Sequence, residues 1–160
     1  MTKIYIFTVL LSLLPISELR GAIPFAYFNG VSLPLSFLIA VIANALVPAF
    51  GFIFLNTIHK LLYKWKFYQN FFDKTVTKAR NKVGEKVSKY GLLGLILFVA
   101  IPLPITGAWT GTLGAWVLGL DYKKSLLTIA TGVLIAGIIV SLVILTGSNF
   151  SALFTKTITI

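Results

Sequence analysis

Apolar residues run along this chain in long blocks, and short polar stretches interrupt them. Ile4 to Ile16 is a first apolar run, closed by Pro15 and followed at once by Glu18 and Arg20. Gly21 to Ile58, Tyr90 to Leu120 and Ser125 to Thr155 each lack Asp, Glu, Lys, Arg and His. About 20 apolar residues cross the hydrocarbon core of a bilayer, so each block is long enough to span. Proline divides two of them. It removes a backbone donor and clashes with the preceding turn, so Pro15 and Pro24 bracket one break and Pro102 and Pro104 make another. The pattern predicts an all-α integral membrane protein in two halves, 1–58 and 91–147. Each half is a Pro-broken hairpin followed by one span, about Pro34 to Asn56 and about Tyr122 to Leu145. A connector, 59–90, joins the halves, and a tail, 148–160, follows.

The halves also match in letters. "LPIS" at Leu14 to Ser17 returns as "LPIT" at Leu103 to Thr106, an offset of 89 positions. At that offset Ala26 meets Ala115, Gly30 meets Gly119, and Ser36 meets Ser125. Paired hydrophobic segments interrupted at corresponding positions point to a transporter binding site. Two topologies fit. In one, the broken segments are re-entrant, the chain crosses twice, and the halves are inverted relative to each other. In the other, they cross fully and make four spans. The count of flanking basic residues is equal in both. The thirteen residues of Ile4 to Ile16 favour the re-entrant form, because they enter a bilayer without crossing it. A secretory signal peptide is the lesser reading of that run, since no small-x-small cleavage site follows it.

Composition agrees with a membrane protein. Of 160 residues 58% are hydrophobic and 11% charged, against about a quarter charged in soluble domains; mean hydropathy is +0.95. The net charge of +10 is concentrated: nine of the fourteen Lys/Arg lie between Lys60 and Lys89. Basic residues gather in cytoplasmic segments beside spans, so the charge reads as topology and contact with anionic lipids. Nucleic acid is not an expected partner, as no RNA- or DNA-binding motif accompanies the charge. In the connector, Val76, Val83, Val87 and Tyr90 share one helical face among lysines. Its first part, "LLYKWKFYQNFF", suits a helix in the membrane interface with lysines snorkelling to phosphates. A plain cytoplasmic helical hairpin fits equally.

Chemistry is sparse. There is no cysteine, and no nucleotide-binding loop, metal-protease motif or catalytic triad. An enzyme is not expected, nor is a cofactor or metal, and ATP-driven transport would need another subunit. The candidate pathway residues are Glu18, Arg20, Pro24, Asn44, Pro102, Pro104, Thr106, Trp109 and Thr110. A carboxylate at bilayer depth is a functional-site hypothesis by default and a candidate proton carrier. Arg20 is its natural counter-ion, and equally a bidentate partner for a phosphate. A half-helix starting near Thr106 would point its positive end into the membrane, which suits an anion. Gly107, Gly111 and Ala115 form a small-residue face that favours helix packing, as do Gly132, Ala136 and Gly137. Asn44 either reaches the pocket or holds helices together. His59 reads as an interface residue.

"ELRGAIP", Glu18 to Pro24, and "IPLPITGAWTG", Ile101 to Gly111, resemble the small multidrug export protein family. That family is a distant branch of the DedA superfamily, which includes lipid scramblases of the VTT-domain type. The resemblance implies two opposed re-entrant loops in the plasma membrane of a bacterium or archaeon. It also implies movement of lipid-phosphate or amphipathic compounds, with protons as a coupling partner. Better-known DedA proteins carry a second membrane acid where Asn29 and Gly30 stand here. They also carry arginines where this chain has Val99, Ile101, Ile105 and Gly107. Only Glu18 carries over. A membrane adaptor acting through the basic connector is the alternative function, and either reading accommodates a homodimer.

Overall fold

The computed structural model describes residues 1–102 and 106–156, with backbone alone for 148–156. Pro104, with its neighbours Leu103 and Ile105, lies outside the described residues. All regular structure among the described residues is helical. Helix α1 (Thr2–Leu13) stops where Leu14, extended ahead of Pro15, turns the chain. Helix α2 (Glu18–Phe28) carries Pro24 within it. Helices α3 (Leu33–Ala45) and α4 (Val47–Asn56) are almost continuous, with Pro48 in the first turn of α4. Then come α5 (Ile58–Leu62), α6 (Lys66–Tyr90), α7 (Leu92–Ala100), α8 (Ala108–Val117) and α9 (Tyr122–Lys156).

Two stretches are long and apolar enough to cross a bilayer, Leu33–Asn56 with 24 residues and Tyr122–Gly147 with 26. Both fall where the hydrophobic pattern put them. By contrast α1, α2, α7 and α8 have 12, 11, 9 and 10 residues. At about 1.5 Å per residue none exceeds roughly 18 Å, well short of the ~30 Å core. The two long helices pack side by side and antiparallel. Leu33 and Phe37 at the start of α3 face Ile138 and Leu142 late in α9. Phe52 near the end of α4 packs edge-on to Tyr122 at the start of α9, ring centres 5.2 Å apart. Gly137 permits the approach, since a Cβ there would meet Val41 and Phe37. Leu38, Ile42, Phe50, Ile53, Leu134, Ile138 and Leu142 stay exposed, a surface that suits lipid rather than water.

The 89-position offset extends to the backbone. Helix α2 ends on Gly30 at φ 88 and α8 on Gly119 at φ 67. The capping bonds match: Val31 N–H to Ala26 O at 3.1 Å, and Leu120 N–H to Ala115 O at 3.0 Å. Each following helix opens with the same bond, from Ser36 to Ser32 and from Ser125 to Asp121, both 2.9 Å. The starts match too. Glu18 and Gly107, one offset apart, both have positive φ, 49 and 138.

The connector is part of the bundle. Helix α6 lies against α7 and α8 with Phe72, Ala79 and Val83 buried. Gly94 and Gly114 are small because the α6 backbone at Lys86 and the Val83 side chain occupy the space a Cβ would need. Of the expected apolar face Val83 is buried and Val76 and Val87 are half-buried, whereas Tyr90 is exposed at the helix end beside Gly91. His59 is buried among Tyr63, Tyr68, Phe72 and Trp116, its ring centre 4.0 Å from that of Phe72 at a tilt of 31°, with Nδ1 3.1 Å from the Tyr68 hydroxyl.

Candidate functional site

Helix α2 begins at Glu18, which sits in the left-handed region that non-glycine residues seldom occupy. That turn places the N-terminus of α2 against the N-terminus of α8, and the carboxylate crosses the gap. It is 4% exposed. Its Oε1 accepts from the backbone N–H of Trp109 at 3.3 Å, in the first turn of α8. A carboxylate at a helix N-terminus satisfies orphan donors and opposes the positive end of the dipole. Gly107 makes room for it. A Cβ at Gly107 would coincide with the Glu18 carboxylate. The residue that corresponds to Glu18 in the second half therefore has no side chain, and Glu18 fills its place.

Two positions on, the halves exchange partners. Arg20 donates through Nη2 to Glu18 Oε2 at 3.3 Å and to the backbone carbonyl of Thr106 in the opposite break. Trp109 stands at the corresponding place in α8, and its Nε1 donates to the carbonyl of Leu13, the last residue of α1, at 2.8 Å. The neighbouring carbonyl, Ser12, accepts from Asn44 Nδ2 at 2.6 Å. The α1 end would otherwise bury unpaired carbonyls, and side chains from α3 and α8 satisfy two of them. Asn44 is fully buried, and its Oδ1 has no protein partner.

Glu18, Arg20, Asn44, Pro102 and Gly107 surround one cavity of about 10 Å³. It holds roughly one water molecule. Four of the expected pathway residues thus meet at one point, and Thr106 and Trp109 join them by backbone and indole contacts. The Thr106 hydroxyl donates to Ile101 O at 2.8 Å. Pro24 lies within α2, and neither it nor Thr110 is among the residues lining the cavity. Asn44 does both things the sequence left open: it reaches the cavity and it joins α3 to α1. Gly107 belongs to the site itself, whereas Gly111 and Gly132 serve packing against Val99. Thr8 and Ser12 are fully buried polar residues in α1 that hydropathy alone passes over. Their hydroxyls bond within the helix, to Ile4 O and Thr8 O. Among the described residues no group of His, Asp and Glu could hold a metal ion.

A family model described as "Putative small multi-drug export protein" matches residues 18–139. The match begins at Glu18, after α1 and Pro15, and runs through α2, the first span, the connector, the second break and most of the second span. No curated protein and no solved structure is matched by the chain.

Proposed function

Because the chain belongs to the small multi-drug export protein family, we propose that it is a proton-coupled membrane transporter or flippase. Its halves are two opposed re-entrant hairpins with one span each, of DedA-like type, in the plasma membrane of a bacterium or archaeon. The observation that carries this reading is the Glu18 carboxylate. It is the one acid of the chain outside the connector and the α8–α9 turn, and it ties the N-terminus of one short helix to that of the other. The antiparallel spans and the short hairpin helices support the inverted arrangement.

The cavity of about 10 Å³ is too small for a lipid or drug, so transport requires the site to open further. Opening requires the α1–α2 and α7–α8 pairs to part at the Glu18–Trp109 and Arg20–Thr106 contacts. Ionised Glu18 holds them together, and hydrogen bonds to charged groups contribute about 1.5–3 kcal/mol each. A proton on Glu18 removes the ion pair with Arg20 and weakens the cap. It also loosens the carboxylate's hold on the guanidinium and on the α8 N-terminus, donors that suit a phosphate headgroup. An anionic lipid or amphipathic anion then takes the place of the carboxylate. Proton entry and substrate binding thereby become one exchange.

The test uses purified protein in proteoliposomes with nitrobenzoxadiazole-labelled phosphatidylglycerol, reading flipping by dithionite quenching. Wild type should respond to an imposed pH gradient and Glu18→Gln should not, with both eluting as the same species in detergent. An unchanged pH response in the variant removes Glu18 from the mechanism.

A further inference from the structure

Helix α6 has a second distinctive face besides the one packed on α7 and α8. At 100° per residue the packed set, buried Phe72, Ala79 and Val83 with half-buried Val76 and Val87, is centred about 140° away from another set. That set is Phe67, Phe71, Lys74, Lys78, Lys82 and Lys89, gathered within an arc of about 80°. All six are exposed, and Phe67 and Phe71 strongly so, at 88% and 67%. Glu85 is the one acid on this arc; Asp73 is turned to the other side, where the Tyr63 hydroxyl donates to it at 2.9 Å.

We propose that this strip docks onto the anionic headgroup layer of the membrane. Two phenyl rings left in water are unfavourable, and the bundle does not cover them. The strip also continues the lipid-facing surface of the first span. From Asn56 the chain passes through Ile58, Leu61 and Trp65, which are 50%, 66% and 69% exposed, directly into Phe67. Rings at headgroup depth, followed by lysines reaching phosphates, are what an interfacial helix needs. Four lysines against one acid match an anionic surface, where each contributes about a five-fold gain in partitioning. The docked strip fixes α6, and through the Val83–Gly114 and Lys86–Gly94 contacts it sets the height of the α7–α8 hairpin. This inference stands independently of transport.

The absence of cysteine makes the test direct. A nitroxide is placed at Phe71→Cys in the full chain, in nanodiscs of phosphatidylcholine alone or mixed with phosphatidylglycerol. Collision with oxygen, which enters lipid, is compared with collision with a water-soluble nickel chelate. In the mixed discs oxygen should dominate. The combined changes Lys74→Gln, Lys78→Gln and Lys82→Gln should reverse that preference; these side chains are exposed, so the fold is retained. Nickel dominating in both lipids overturns the proposal. So does a label shielded from both reagents, which would mean that protein, a second copy or another partner, covers the strip.

Discussion

Changing Gly107 to Ala strikes the point where the two halves touch. Gly107 has φ 138 and ψ −166, a region that is essentially glycine-only, and a side chain there costs about 1–3 kcal/mol in backbone strain. The new Cβ also falls on the Glu18 carboxylate, which must leave the α8 N-terminus. Losing the charge-assisted bond to the Trp109 N–H adds about 1.5–3 kcal/mol, so Gly107→Ala should destabilise by roughly 2.5–6 kcal/mol in all. Only the second part depends on Glu18. On a Glu18→Ala background, Gly107→Ala should therefore cost the strain alone, about 1–3 kcal/mol. The assay is a double-mutant cycle on reversible unfolding in mixed micelles. Non-additivity of about 2 kcal/mol or more supports the contact. Additivity within about 0.5 kcal/mol, as for independent sites, refutes it.

Other perturbations test neighbouring parts of the account. Asn44→Leu keeps the heavy-atom count and branching but leaves the buried Ser12 carbonyl without its partner, which should cost about 1–3 kcal/mol in the same assay; an unchanged stability would mean the bond contributes nothing. His59 lies beyond the first span, and burial among aromatic rings lowers its pKa from the ordinary 6.5, with Asp73 opposing. The folded state thus disfavours the proton, so the contribution of neutral His59 is present above pH 6.5. It is lost as the pH falls through the lowered folded value. The unfolding midpoint should decline on acidification in wild type and less in His59→Phe, and parallel pH profiles would contradict this.

Much of this architecture is legible because membrane depth restricts the options. The span ends at Leu33 and Asn56 and at Tyr122 follow from uninterrupted apolar length, and the breaks follow from Pro15 and Pro102. The offset of 89 positions, visible as a few matching letters, extends to glycine caps and turn bonds because the same turn needs a positive-φ residue twice. Partners across the halves are another matter. Nothing local marks Gly107 as the seat of the Glu18 carboxylate rather than one more packing glycine. That role comes from two helix starts meeting end to end. The Trp109–Leu13 bond is hidden for the same reason, since an indole in an apolar run reads as an interface anchor. Tyr90 misleads because periodicity continues into the last turn of α6, where the chain turns at Gly91 and the ring stays exposed.

The inverted arrangement of the halves is the central claim, and labelling from one side of the membrane tests it most directly. Asn29→Cys, Glu85→Cys and Lys124→Cys occupy exposed turns or surfaces in a chain without native cysteine. An impermeant thiol reagent is applied to intact cells and again after permeabilisation. Two re-entrant hairpins predict labelling of position 29 from outside, with positions 85 and 124 reached only after permeabilisation. Labelling of position 124 from outside would mean that the second broken segment crosses the membrane, making four spans and contradicting the account.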